Sequence, residues 1–210
     1  MQTKLGIGFI GAGNVGVTLA RLLQNEGYEV VAVLSRTLEK AEALADAVGA
    51  RNATDPMTVV EAAHLTFLTV NDDSIADVVP KLIGPLDGKA IIHTSGVHES
   101  NVLSKLSDEG AMIGGLHPIY PFADVVSSIA GLPGAVFGVQ TNNSKLDQWL
   151  LQIVNDLNGT IIRIPPRGKA LYHSAFVFAS NFGVTLYAIA ERLLATVGGD
   201  RTVLTRLSTR

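Results

Sequence analysis

Short apolar runs alternate with amphipathic stretches along most of the chain. Residues 5–10 are apolar or glycine throughout, as in a strand buried on both faces, and residues 15–24 carry apolar side chains at helical spacing. The same alternation predicts further strands at 29–34, 65–70, 90–93, 111–116, 135–139 and 160–164. It predicts intervening helices at 38–48, 74–83, 99–106 and 145–157, a short helix starting at Asp55-Pro56, and an irregular or helical stretch at 121–129. Because strands that alternate with helices form parallel βαβ units, we expect an α/β fold with a doubly wound, mostly parallel sheet.

The pattern changes after residue 164. Pro165-Pro166 interrupts the alternation, and an apolar helix is predicted from about Gly168 to Val197. We therefore expect a first domain at residues 1–165 and an all-helical C-terminal region at 166–210, which would serve dimerisation or substrate binding.

Residues 170–190 contain no Asp, Glu, Lys or Arg, a length that suits a membrane-spanning helix. Polar side chains interrupt this segment, among them His173, Ser180 and Asn181, and the preceding αβ chain has no other hydrophobic span. The sequence therefore favours a helix buried in a protein core or in a dimer interface over a membrane span.

Glycines mark the junction between the first strand and the first helix. The motif G-x-G-x-x-G occupies Gly11-Ala12-Gly13-Asn14-Val15-Gly16. Glycine at such a junction permits a tight turn and a close approach of the backbone to a pyrophosphate, while the helix N-terminus offers unpaired N–H groups. The position predicts a Rossmann dinucleotide site formed by these six residues.

The end of the second strand indicates which dinucleotide binds. An NAD site usually has an Asp or Glu there, whereas this chain has Ser35-Arg36-Thr37. The Arg36 guanidinium can pair with a 2′-phosphate, and the two hydroxyls can donate to it, which predicts NADP as the cofactor. Thr37 could equally cap the following helix, and the two roles are compatible.

Polar residues follow three other predicted strands, at the edge where Rossmann folds bind ligands. Asn71 is predicted near the nicotinamide, and Ser95 and Gly96 near the substrate. Asp72 and Asp73 fit helix capping better than ligand binding. His117 before proline is equally consistent with a structural role and a site role. The histidines lack metal-ligand spacing with carboxylates, so no metal is predicted.

The last helix supplies a further group of polar residues. With ideal α-helical spacing, Lys169, His173 and Ser180 fall within a narrow arc and Asn181 lies at its edge. A partly buried lysine beside a histidine can donate a proton or stabilise an oxyanion. We therefore predict Lys169 and His173 as an acid–base pair, His117 as a third catalytic residue, and Asn181 as a substrate contact.

Composition excludes several functional classes. The chain has 210 residues, a net charge of −3 and no cysteine, which argues against nucleic-acid binding and excludes thiol chemistry. Residues 1–10 lack the apolar segment of a signal peptide, so a cytoplasmic protein is expected.

Two sets of motifs resemble known families. The segment Gly8 to Gly16 together with Ser35-Arg36-Thr37 resembles the 6-phosphogluconate dehydrogenase-like superfamily. That superfamily includes β-hydroxyacid dehydrogenases, pyrroline-5-carboxylate reductases and the coenzyme F420-dependent type of NADP oxidoreductase domain. The later motifs resemble the Rossmann-like proteins that carry DUF2520; they are His93-Thr94-Ser95-Gly96, Leu116-His117-Pro118 with Phe122-Ala123-Asp124, and the run from Lys169 through Tyr172-His173-Ser174-Ala175 to Ala179-Ser180-Asn181.

The resemblance implies a Rossmann domain followed by a helical domain that often dimerises. In β-hydroxyacid dehydrogenases an Asn follows the catalytic Lys by one turn, whereas Tyr172 and His173 stand at that place here, which puts the hydroxyacid reaction in doubt. The chain ends at Arg210, sooner than such relatives usually do, so the helical region is expected to be short or truncated, with a partner subunit completing the site.

These observations predict an NADP(H)-dependent oxidoreductase, acting on a small carbonyl, hydroxyacid or imine substrate, that forms a homodimer. Two alternatives stay open. A non-catalytic NADP-binding module would serve as a redox sensor or assembly partner. A prephenate dehydrogenase-like enzyme would share the Gly-x-His-Pro motif at Gly115-Leu116-His117-Pro118, but would need arginines for a dicarboxylate, for which only Arg163 and Arg167 are available.

Overall fold

The computed structural model describes residues 4–208, with side chains through residue 205. The chain divides into two compact units, one up to Arg167 and one from Gly168 onwards.

An eight-stranded sheet forms the centre of the first unit. Its strands lie in the order β3-β2-β1-β4-β5-β6-β7-β8, and all neighbouring pairs are parallel except β6 and β7. In chain order they are β1 Gly6–Ile10, β2 Glu29–Leu34, β3 Arg51–Asn52, β4 Leu65–Leu68, β5 Ala90–His93, β6 Met112–Ile119, β7 Val136–Thr141 and β8 Thr160–Arg163. The predicted α/β fold with a doubly wound, mostly parallel sheet is confirmed.

Helices connect these strands. They are α1 Asn14–Asn25, α2 Leu38–Val48, α3 Pro56–Ala62, α4 Asp72–Val78, α5 Ser104–Asp108, α6 Val125–Gly131 and α7 Ser144–Asp156, with 3₁₀ turns at Val79–Leu82 and Ser100–Leu103. Asp55 caps α3 by accepting a hydrogen bond from the Thr58 N–H at 3.0 Å, as Asp55-Pro56 predicted. Asp124 caps α6 in the same way through the Ser127 N–H.

The core consists of two apolar layers, one on each face of the sheet. Alternation along β1 places Ile7 and Phe9 in one layer and Ile10 in the other. Phe9 stacks on Phe67 of β4 with ring centroids 5.1 Å apart. Burying each such side chain stabilises the fold by about 1.5–3 kcal/mol relative to leaving it exposed. This burial favours one strand register, and the register determines which strand ends meet at the functional edge.

Strand β6 extends three residues beyond its predicted end at Leu116. It pairs with β5 only up to Gly115, whereas its pairing with β7 continues to Ile119. Beyond Gly115, β6 has no hydrogen-bonded neighbour on its β5 side. Pro118, which has no N–H to donate, can therefore lie inside the strand. His117 consequently lies within β6, and the prediction that it follows the strand in a turn is wrong.

The second unit is helical. It comprises α8 Lys169–Phe176, a π-helical segment Val177–Phe182, α9 Gly183–Ala195 and α10 Arg201–Ser208. The continuous helix Lys169–Ala195 is long and apolar enough to cross a membrane, and its most apolar 18-residue window has no buried residue. This window is therefore not buried in a core within the chain, and its burial in a dimer interface stays a prediction.

Candidate functional site

The glycine turn, residues 11–16, brings together the end of β1, the start of α1 and Thr69 after β4. Gly11 has a φ of +119°, and a Cβ there would lie 2.5 Å from the Thr69 carbonyl oxygen after β4. A Cβ at Gly16 would overlap the Gly11 carbonyl oxygen. Thr69 fixes the turn by donating its hydroxyl to that same oxygen at 2.7 Å. Only glycine fits at Gly11 and Gly16.

Gly13 differs from these two glycines because a Cβ there would meet no atom within 4 Å. It is the N-cap residue of α1, and no side chain accepts a hydrogen bond from the first turn of that helix. The first turn also contains no acidic residue. The backbone thus presents uncapped N–H groups and open space, which is the arrangement that binds a phosphate.

A cavity of about 490 Å³ lies beside this turn, between the ends of β1, β2 and β4. Ser35, Arg36 and Thr37 line it together with Lys40. Thr37 is the N-cap residue of α2 but makes no side-chain capping bond, so the alternative capping role of its hydroxyl is not observed.

Sequence reasoning missed two cations of this cavity, Lys40 and Lys81. Lys40 lies on the first turn of α2, close in sequence to Arg36, and this proximity could have revealed it. Lys81 comes from the 3₁₀ turn after α4, and no local signal in the sequence connects it to the site.

A second cavity, of about 460 Å³, adjoins the first and shares Gly13, Thr69, Val70 and Asn71 with it. Its lining includes residues that the sequence predicted for the site and placed after four different strands; they are Asn14, Asn71, Ser95, Gly96 and His117. The two cavities form a cleft that runs across the glycine turn. Its position at the switch point of the sheet and its polar lining suit a dinucleotide.

Two aromatic residues of the second cavity were also missed. Tyr120 and Phe122 pack edge to face with centroids 5.5 Å apart. The backbone around Phe122 is tied to the glycine turn, because the Asn14 side-chain amide donates to the carbonyl oxygens of Phe122 and Ala123 at 2.9 and 3.1 Å. Asn14 therefore positions the aromatic wall in addition to starting α1.

Ser95 has a structural role in the turn after β5. Its hydroxyl oxygen accepts hydrogen bonds from the N–H groups of Val97 and His98 at 3.1 and 3.0 Å. The Ser95 N–H in turn donates to Nδ1 of the buried His93 at 3.2 Å. These bonds hold Gly96 and the hydroxyl at the cavity wall, and the substrate contact of Ser95 stays a prediction.

Lys169, His173 and Asn181 belong to the second unit. Lys169 begins α8, and its Nζ lies 5.7 Å from the centroid of the Tyr172 ring. His173 follows one turn later on the same face of the helix. Ser180 and Asn181 lie in the π-helical segment, whose wider turns break α-helical phasing. The predicted arc therefore holds for Lys169 and His173 and does not extend to Ser180.

Arg163, a residue considered for dicarboxylate binding, is engaged elsewhere. Its guanidinium pairs with Asp147 of α7 at 2.9 Å, and it lines neither cavity. Within residues 4–208, no cluster of three His, Asp or Glu side chains is placed to hold a metal ion.

Comparisons with known proteins identify the two parts of the chain. Residues 6–96 match the family model described as NADP oxidoreductase coenzyme F420-dependent, and residues 135–210 match the domain of unknown function DUF2520. The chain is therefore similar to NADP oxidoreductases in its first part and to DUF2520 proteins in its last part. Both predicted resemblances are confirmed, and the prediction of NADP as the cofactor agrees with the family.

Individual proteins are also similar to this chain. Pyrroline-5-carboxylate reductase from Corynebacterium melassecola is 25% identical over 190 residues, which cover 90% of this chain and 68% of that protein. A candidate NADP oxidoreductase of Bacteroides fragilis matches with a TM-score of 0.80 and 26% identity, over 99% of this chain and 78% of that one. A reductive aminase from Aspergillus terreus, solved with NADPH4, cyclohexanone and allyl amine, matches with a TM-score of 0.74 and 19% identity, over 99% and 71% of the two chains.

Proposed function

We propose that the protein is an NADP(H)-dependent enzyme that transfers a hydride to or from a small carbonyl, hydroxyacid or imine substrate. The observation that carries the proposal is the cleft across the glycine turn. It has cations at one end, uncapped helix N–H groups in the middle, and a polar and aromatic cavity at the other end.

Each part of the cleft suits one part of the dinucleotide. The backbone from Gly11 to Gly16 holds the pyrophosphate, with Gly13 leaving the space for it. Ser35, Arg36 and Thr37, joined by Lys40, bind the 2′-phosphate. Asn71 lies where both cavities meet and orients the nicotinamide ribose. When bound, the cofactor supplies or accepts the hydride.

The acid–base chemistry is assigned to a small set of side chains. Lys169 and His173 donate and accept the proton at the reduced oxygen or nitrogen, which their shared face on α8 supports. His117 on the cavity wall is the third member of this set. Ser95, Gly96 and Asn181 contact the substrate.

The relatives support a small polar substrate. One is a pyrroline-5-carboxylate reductase, and another is a reductive aminase solved with a ketone and an amine. We also propose that residues 1–165 act as the NADP-binding domain and residues 166–210 as a dimerisation and substrate region. We further propose that the protein is a cytoplasmic homodimer without nucleic-acid or membrane partners.

Steady-state assays with NADPH and a panel of ketones, imines and keto acids test the proposal, with NADP⁺ and hydroxyacids for the reverse direction. Turnover of any substrate class supports it. Tight NADPH binding without turnover of the panel would contradict it and favour a non-catalytic NADP-binding module.

A further inference from the structure

His93 is a buried titratable residue that the proposed acid–base chemistry does not use. It ends β5, and no part of it is exposed to solvent. Because side chains alternate along a strand, its ring lies on the same face of the sheet as Ile91, which belongs to the apolar layer that contains Ile10. A polar ring in such a layer is costly unless its nitrogens are engaged. The groups that the ring contacts therefore decide its role.

Gly115 provides the space for this ring. His93 and Gly115 are paired residues of the parallel strands β5 and β6, so their side-chain positions lie on the same face of the sheet. A Cβ at Gly115 would lie 3.0 Å from Cε1 and 3.3 Å from Nε2 of His93, closer than ordinary van der Waals contact. A larger residue would therefore displace the ring. The first residue of the Gly-x-His-Pro motif is thus matched to the first residue of the His-Thr-Ser-Gly motif.

The ring also holds the turn that follows β5, residues 95–98, which we call the substrate turn because its first two residues line the second cavity. Nδ1 of His93 accepts the Ser95 N–H at 3.2 Å. The Ser95 hydroxyl oxygen then accepts the N–H groups of Val97 and His98. A ring nitrogen that accepts a hydrogen bond carries no proton, so His93 is the neutral imidazole with its proton on Nε2.

We propose that His93 is a positioning residue for the substrate, a neutral imidazole that holds the substrate turn in the shape that the second cavity requires. The inference rests on the proposed oxidoreductase function and adds to it a residue that lines neither cavity. Its effect passes through the Ser95 N–H. Because the glycine turn is held by Thr69 and not by His93, the loss of this ring should change substrate binding and leave NADPH binding intact.

Two variants separate the acceptor nitrogen from the bulk of the ring. Oδ1 of asparagine can replace Nδ1 as the acceptor, whereas leucine fills space and accepts nothing. With the fastest substrate of the ketone, imine and keto acid panel, His93→Leu should raise KM by about fivefold, as for one lost hydrogen bond, with kcat and the Kd for NADPH little changed. His93→Asn should restore KM. An unchanged KM in His93→Leu, or a KM that stays raised in His93→Asn, would overturn the proposal.

His64→Leu is the matched control. Nδ1 of His64 accepts the Gly6 N–H at 3.0 Å, a bond of the same kind, but it lies at the start of β4 and thus at the opposite edge of the sheet. His64 lines neither cavity. This variant should leave KM unchanged. An equal rise of KM in the control would assign the effect to a general loss of stability and contradict the proposal.

The state of the ring is measured without any turnover. In ¹⁵N-labelled wild-type protein, long-range correlations between ring nitrogens and ring protons distinguish the two neutral tautomers from the imidazolium. The chain has five histidines, so the signal that is missing in His93→Asn belongs to His93. We expect the Nε2-protonated tautomer at neutral pH. That tautomer without turnover of the panel would count against the enzyme proposal alone, whereas a proton on Nδ1 would overturn the inference even in an active enzyme.

Discussion

Among the single residues of the cleft, the glycines divide into two kinds. At Gly11 and Gly16 the fold has no room for a side chain. At Gly13 the fold has room for one, but that space is where we place the pyrophosphate of the bound cofactor. Gly13→Ala should therefore fold normally and lose NADPH affinity, because its methyl group occupies the place of the pyrophosphate. Gly11→Ala should lower the melting temperature, since its φ is positive and its Cβ meets the β4 backbone. Thermal unfolding and NADPH titration of both variants check this, and unchanged affinity in Gly13→Ala would contradict it.

Arg36 carries the discrimination between the two nicotinamide cofactors. Arg36→Ala should weaken NADPH binding by about 1.5–3 kcal/mol, the loss of one charge-assisted contact, and should barely affect NADH. Lys105→Ala, on α5 and outside both cavities, is the control. Equal losses for NADPH and NADH in the Arg36 variant would refute this role.

Lys169 is assigned to proton transfer and not to cofactor binding. Lys169→Ala should therefore abolish turnover of the best substrate and leave the Kd for NADPH nearly unchanged. Single-turnover assays and calorimetry on the same preparation separate the two effects. Surviving turnover would place the proton donor elsewhere.

At the scale of elements, one polar cluster joins the start of β1, the turn before β2 and the end of α7. Asp156 accepts hydrogen bonds from Lys4 and Tyr28, each at 2.8 Å, and from Gln152 at 2.7 Å. Burial raises the pKa of the Asp156 carboxyl, but these three hydrogen bonds outweigh it, so the pKa lies below its ordinary value. The native state thus favours the ionised carboxylate.

Asp156→Asn should consequently destabilise the protein by about 1–3 kcal/mol at neutral pH, the loss of charge-assisted hydrogen bonds. A lowered pKa stabilises the fold above the ordinary Asp value near 3.9 and ceases to do so as the pH falls through the folded pKa. The stability difference from wild type should therefore shrink in acid. Urea unfolding at several pH values measures it, with Asp46→Asn on α2 as the control. A difference that is independent of pH would contradict this account.

The sequence predicted the elements that depend on local pattern. β2, β5 and α2 have the predicted bounds, because apolar runs and helical periodicity are local properties. The extension of β6 through Pro118 depends on where its neighbour β5 stops pairing. The π-helical segment is as apolar as the helix on either side of it, so the sequence does not distinguish it, and the two residues of β3 are polar. Lys81 reaches the cleft from an element distant in sequence from the glycine turn, so spacing alone could not place it, whereas Tyr120 and Phe122 closely follow His117, a residue that the sequence did place there.

At the scale of the whole molecule, the second unit exposes apolar side chains that the dimer proposal assigns to an interface. Phe178, Leu186 and Leu193 are 67%, 65% and 66% exposed on one long helix. Surfaces of this kind mark protein–protein interfaces. We expect light scattering to give a homodimer, and Leu186→Glu to shift it towards monomer. Val126→Glu, at an exposed valine of α6, is the control. A wild-type monomer would contradict the dimer proposal.

The most direct test of the cofactor assignment is a calorimetric titration of the purified protein with NADPH and, separately, with NADH. The account predicts saturable NADPH binding that is tighter than NADH binding by about tenfold or more, as one charge-assisted contact to the 2′-phosphate requires. Equal affinity for the two, or no binding of either, would contradict it.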